Sequence, residues 1–129
     1  MKGESAYKPL QPARRPGGRP SSQPHFRVLV HRKFFRHWEK LIEQVGLQQA
    51  EELWDHLAFS ADQIPSTASS CILRGKAGLP QGEGWSRTIH YEVTSKARVD
   101  YQHHRAFITA HGEDQHPVAA ILTINFSSH

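Results

Sequence analysis

The stretch KFFRHWEKLIEQVGLQQAEELWDHL, residues 33–57, decides the fold. Phe34, Phe35, Trp38, Leu41, Ile42 and Val45 recur at the three- and four-residue spacing of one helical face, with Glu39, Lys40 and Glu43 outside it. Gly46 then caps the helix. Leu47, Ala50, Leu53, Trp54 and Leu57 begin a second apolar face at once, so the spacing predicts an αα-hairpin over residues 33–60. Upstream, Phe26, Val28 and Val30 alternate with Arg27 and His31, a short strand. Downstream, Ile89, Tyr91 and Val93 alternate with Thr88, His90 and Glu92. After a turn at Thr94–Lys96, Ala97, Val99 and Tyr101 alternate with Arg98, Asp100 and Gln102. A weaker strand is expected over 105–109, a turn over 111–117, and a central strand in the apolar run 118–126. Residues 60–84, rich in Gly, Pro, Ser and Thr, read as one long connection.

The fold class expected is therefore α+β, in the order β-α-α-β-β-(β)-β: an N-terminal strand and a helical hairpin covering one face of a mainly antiparallel twisted sheet. Its core should hold Trp38, Leu41, Leu53, Trp54, Ile89, Tyr91, Val99, Leu122 and Ile124. Two regions are expected, a disordered basic arm over residues 1–24 and a folded domain over 25–129. The arm carries five prolines and almost no large apolar side chain, too little to offset the entropy of ordering it.

A chain of 129 residues with 37% hydrophobic content suits one domain with a modest core. No run approaches the length a spanning helix needs, and the N-terminus lacks the apolar stretch of a secretory signal. With Cys71 as its single cysteine, the chain has no disulfide framework, and a cytoplasmic location is expected. The net charge of +4 comes from the arm, where Lys2, Lys8, Arg14, Arg15 and Arg19 stand against Glu4. Beyond it the charges balance but segregate. Residues 39–62 are acidic, whereas residues 74–105 carry Arg74, Lys76, Arg87, Lys96, Arg98 and Arg105, a pattern suited to a polyanion.

No nucleophile elbow or phosphate-cradling loop is present. The histidines lack helical i, i+4 ligand spacing, so no metal and no cofactor is expected. Cys71, in a Ser/Thr-rich loop without an adjacent base, reads as a small packed side chain. The basic cluster is the informative feature. If its members converge at one sheet edge, they suit attack of a 2′-hydroxyl on the adjacent phosphate: Arg and Lys neutralise the phosphorane, and His moves protons near neutral pH. A solvated sheet face is the alternative.

The element order, together with Gly84-Trp85-Ser86-Arg87-Thr88-Ile89 and Ala97-Arg98-Val99-Asp100-Tyr101, resembles the RelE/ParE toxin superfamily, nearest its Txe/YoeB-like branch. Leu73-Arg74 is similar to that branch's Leu-Lys pair, Arg98 falls on its catalytic arginine, and His129 falls on its C-terminal catalytic pair. Cys71 stands where the family places an acid, and the C-terminal tyrosine is absent. The resemblance implies the toxin of a type II toxin-antitoxin system, a ribosome-dependent mRNA endonuclease with Arg98 and His129 catalytic and Arg74, Lys76, Arg87 and Arg105 on phosphates. It implies an antitoxin partner, the ribosome and mRNA, operator DNA for the toxin-antitoxin complex, and no membrane. A ParE-like gyrase poison without nuclease activity, or a degenerate member that only binds protein or nucleic acid, are the alternatives.

Overall fold

The computed structural model describes residues 9–66, 70–108 and 115–126. Six strands, β1 (Leu10–Pro12), β2 (Arg27–His31), β3 (Cys71–Ile72), β4 (Ile89–Thr94), β5 (Ala97–Ile108) and β6 (Gln115–Phe126), form one sheet in the order β1-β2-β6-β5-β4-β3. Every neighbouring pair is antiparallel except β2 and β6, which run parallel from Arg27 opposite Val118 to Val30 opposite Ile121. The fold is α+β, as the periodicities predict.

The helical hairpin lies between β2 and β3, but its first arm is broken. A 3-10 turn over Arg32–Phe34 leads into α1 (Phe35–Glu39), and α2 (Leu41–Val45) follows across Lys40. Lys40 sits at φ −92°, ψ 3°, and its N–H is shared between the Arg36 and His37 carbonyls at 3.2 and 3.1 Å. That bridge-region residue replaces the single helix expected over 33–45. On either side of it Trp38 and Leu41 are both buried. Gly46, at φ +88° and ψ 157°, makes the turn into α3 (Leu47–Ser60), a conformation that a side chain would strain.

The hairpin covers one face of the sheet. Val28 and Val30 of β2, Ile89, Tyr91 and Val93 of β4, Ala97, Val99 and Tyr101 of β5, and Ile121 and Ile124 of β6 meet Trp38, Leu41, Leu53, Trp54 and Leu57. Eight of the nine expected core residues are there. Leu122 is not. The β5–β6 register steps from Asp100 opposite Thr123 to Tyr101 opposite Ile121, and the skipped Leu122 packs on the other face with Leu10, Leu29, Val118 and Ala120.

Three more expectations are corrected. The two strands anticipated at 97–102 and 105–109 are one strand, β5, carried through a register shift between His104 and Phe107. Of the turn expected over 111–117, residues 111–114 lie outside the described residues, and Gln115, His116 and Pro117 belong to β6. Pro117 falls at that same shift, where a missing N–H breaks no ladder bond. The connection over 60–84 also contains β3 and a 3-10 turn at Gly75–Gly78.

The largest difference is the N-terminal arm. From residue 9 it is a strap bound to the domain; residues 1–8 lie outside the described residues. Leu10 and Ala13 are each 4% exposed, and β1 adds a strand to the free edge of β2. The Trp54 indole Nε1 donates to the Ala13 carbonyl at 2.7 Å, and that of Trp38 to the Arg14 carbonyl at 3.3 Å. Arg15 forks onto Asp55 at 2.8 and 3.0 Å and reaches Glu51 at 3.5 Å. Asp55 first of all, against the smaller opposing effect of burial, pushes its guanidinium further up. Composition alone undervalued a segment whose partners lie about forty residues away.

Candidate functional site

The sheet face opposite the helices is covered over only part of its area. Gln102 of β5 is buried there, its amide donating to the Leu79 carbonyl and to Thr88 Oγ1, both at 2.9 Å, and its Oε1 accepting from the Gln81 N–H at 2.9 Å. These bonds pin residues 79–81 over the sheet, and Trp85 continues the cover against His104 and Phe107. Toward the β4–β5 turn the cover ends. Alternation there sets a row of Glu92 (β4), Arg98 (β5) and Asn125 (β6) in register. The next row holds Cys71 (β3), His90 (β4), Asp100 (β5) and Thr123 (β6). His90 Nδ1 is 2.7 Å from Asp100 Oδ1, and both side chains are about a quarter exposed. Directly opposed side chains on neighbouring strands stand about 5 Å apart at Cβ, and same-face residues along a strand about 7 Å. Glu92, Arg98 and His90 therefore share a patch the size of one phosphodiester. Among the described residues the Arg98 side chain forms no ion pair or hydrogen bond.

The other sequence-predicted residues do not converge on it. Arg74 and Lys76 are exposed on the far edge, where Arg74 lines a groove of about 720 Å³ with Ile64, Ile72 and Arg87. Arg87 has its guanidinium occupied, with Nε donating to the Leu73 carbonyl at 3.1 Å and Nη2 to the Gly75 carbonyl at 2.8 Å. It is a strut that holds the connection against β4. A Cβ at Gly78 would collide with the Leu73 carbonyl and with that guanidinium, which is why the turn carries glycine. Arg105 lies seven residues along β5 from Arg98, about 23 Å at strand rise. It lines a separate cleft of about 490 Å³ with Phe26, Asp62, Trp85, Ser86 and His103. There burial pushes the His103 imidazole down and Arg105 adds to it, while Asp62 opposes. His129 lies outside the described residues. The register brings β6 to Asn125 opposite Arg98 and to Phe126 opposite Ala97.

Glu92, His90 and Asp100 are the residues that the motif reading missed. Their common face was readable from the alternation in β4 and β5, but the pairing of Glu92 with Arg98 depends on an irregularity between Glu92 and Thr94 that no local pattern announces. Among the described residues no group of three or more His, Cys, Asp or Glu is placed to hold a metal ion, and no helix is long and apolar enough to cross a membrane. No family of known proteins, no curated protein and no solved structure matches the chain.

Proposed function

We propose that the protein is a RelE-like toxin that cleaves mRNA on the ribosome, with its reaction centre at the open end of the sheet. The observation that carries this reading is the row Glu92–Arg98–Asn125 beside the His90–Asp100 pair, on the part of the sheet face left uncovered. In the reaction the RNA 2′-oxygen attacks the adjacent phosphorus and the bond to the 5′-oxygen breaks. Glu92 accepts the 2′-hydroxyl proton. Arg98 stabilises the charge on the phosphorane oxygens, and the leaving 5′-oxygen needs a proton. His129 is the acid that the family resemblance supplies; among the described residues His90, held through Nδ1 by Asp100, has Nε2 available for the same task. Support for the family reading comes from the order β2-α-α-β4-β5-β6, which matches β-α-α-β-β-β once the strap and the two-residue β3 are set aside. An antitoxin, the ribosome and operator DNA are the partners this reading brings with it.

A non-nucleolytic member of the same fold, a gyrase poison or a pure binding protein, is the second reading. It is favoured by Arg87, whose donors are already engaged by backbone carbonyls. Expression in a bacterial host followed by primer extension on translated messages separates the two. New 5′ ends that vanish with Arg98→Ala support the nuclease, and a rate loss of about 100- to 1,000-fold is expected for removing one electrostatic stabiliser. Intact messages with a supercoiling defect support the gyrase poison, and neither effect supports the binding protein.

A further inference from the structure

In the cleft at Arg105, opposite charges line a common space without meeting. The cleft holds about 490 Å³ and lies toward the other end of β5 from Arg98, so the reaction proposed above does not use it. Its walls are fixed by hydrogen bonds and ring contacts. The Ser86 N–H donates to the His103 carbonyl at 2.9 Å, and Ser86 Oγ accepts from the His103 N–H at 3.0 Å. These two bonds hold the segment before β4 against β5. Trp85 meets the His104 and Phe107 rings at 5.1 and 5.5 Å, and Phe26 meets the His103 ring edge-on at 6.2 Å. Trp85 and Phe26 are both half-buried, and both line the cleft.

Among the described residues Asp62 is the only acid on the lining and Arg105 the only permanent cation. Neither side chain forms an ion pair or hydrogen bond among those residues, with the other or elsewhere. The His103 side chain makes no hydrogen bond there either. Burial, opposed by Asp62 and reinforced by Arg105, holds its imidazole below the usual value, so it adds no charge near neutral pH. The cleft therefore offers a carboxylate, a guanidinium and a neutral imidazole, all with hydrogen-bonding capacity to spare. That charge pattern selects among ligands. A simple anion gains at Arg105 and loses at Asp62, and a simple cation does the reverse. A ligand carrying both signs gains at both, and the half-buried rings favour one with an aromatic body.

We propose that this cleft binds a small aromatic zwitterion, the chemistry of a free aromatic amino acid or a dipeptide. Its ammonium group sits on Asp62, its carboxylate on Arg105, and its ring against Phe26 and Trp85. The choice of ligand rests on the two unpaired charges and the aromatic walls, and it stands whether or not the protein cleaves RNA.

The test is an NMR titration of the isotope-labelled full chain, read at the Ser86 and His103 amides. The probes are L-tryptophan, glycyl-tryptophan, N-acetyl-L-tryptophan, which lacks the ammonium group, and L-tryptophan amide, which lacks the carboxylate. Losing one hydrogen bond between charged groups in a partly open site corresponds to about tenfold in affinity. At least one of the two zwitterions should therefore bind saturably and about tenfold more tightly than either blocked compound. Whichever zwitterion binds better reports how far apart the site holds the two charges. Asp62→Asn should bring L-tryptophan level with its N-acetyl form, and Arg105→Gln should bring it level with its amide. Both positions are exposed, so the variants should keep the parent Tm. Arg74→Ala, on the far edge, should change none of the affinities. The absence of saturable shifts with both zwitterions below about 10 mM overturns the proposal. So does a blocked compound that binds the parent as tightly as the zwitterions do, which would mean a plain ion site or an apolar surface.

Discussion

Leu10→Ala tests whether the strap belongs to the folded domain. Leu10 is 4% exposed and packs on Leu29, Val118 and Ala120, on the face away from the helices. Truncating a buried leucine costs about 2–5 kcal/mol. The lower end applies here, because β1 is a three-residue edge strand and can detach before the sheet melts. That possibility sets a ceiling. Once the strap is off, a mutation within it costs nothing more, so Leu10→Ala cannot destabilise by more than removing residues 1–16 does. We expect about 2 kcal/mol for Leu10→Ala, and an equal or larger loss for the truncation, which also removes the carbonyl that accepts from Trp54. Urea denaturation followed by tryptophan fluorescence reads both, because the Trp38 and Trp54 indoles lie under the strap and should shift in emission when it leaves. If both variants unfold within about 0.3 kcal/mol of the parent with unchanged emission, residues 9–16 are a free arm and the packing argument is wrong. This threshold is the ordinary scatter of neutral surface changes.

Two further outcomes are expected. Arg87→Ala should loosen the connection rather than abolish RNA affinity: hydrogen exchange of the amides at 73–78 should rise, with a stability loss of about 1–2 kcal/mol for two half-exposed charge-assisted bonds; a selective loss of RNA binding with unchanged exchange would instead make it a phosphate ligand. Stability should fall as pH drops below about 6.5, the ordinary imidazole value. Burial, the largest influence on each, holds His56 and His103 below that value in the fold, so the unfolded chain takes up protons first and is favoured as pH falls. A Tm that stays flat between about pH 7.5 and 5.5 contradicts this, and His56→Gln should flatten the dependence.

The parts of the fold that were legible are those whose pattern is local. Ile89, Tyr91 and Val93 alternate because one face of β4 is buried, and Leu53, Trp54 and Leu57 follow a helical period for the same reason. In β6 nearly every residue is apolar, which hides the phase, so the register shift that turns Leu122 outward left no trace. The strap was illegible for a different reason. Its order comes from single long-range contacts, Ala13 to Trp54 and Arg15 to Asp55, that composition does not register. At the site, Arg98 was visible as a charge within an alternating strand, while Glu92 was hidden by a pairing irregularity. Arg87 and Arg105 share a basic stretch of sequence with Arg98, but a strand carries residues apart at about 3.3 Å each.

The parallel pairing of β2 with β6 also governs how the molecule folds. Arg27 meets Val118 across roughly ninety residues, so the pair closes a long loop before it gains any contact. The β4–β5 and β5–β6 hairpins and the helical hairpin close over short distances and should assemble first. Until β2 docks, β6 presents an open edge, and Val118 to Ile121 lack the strand that flanks them in the finished sheet. The parallel seam is thus the last to close. An edge left open until then invites a strand from another molecule.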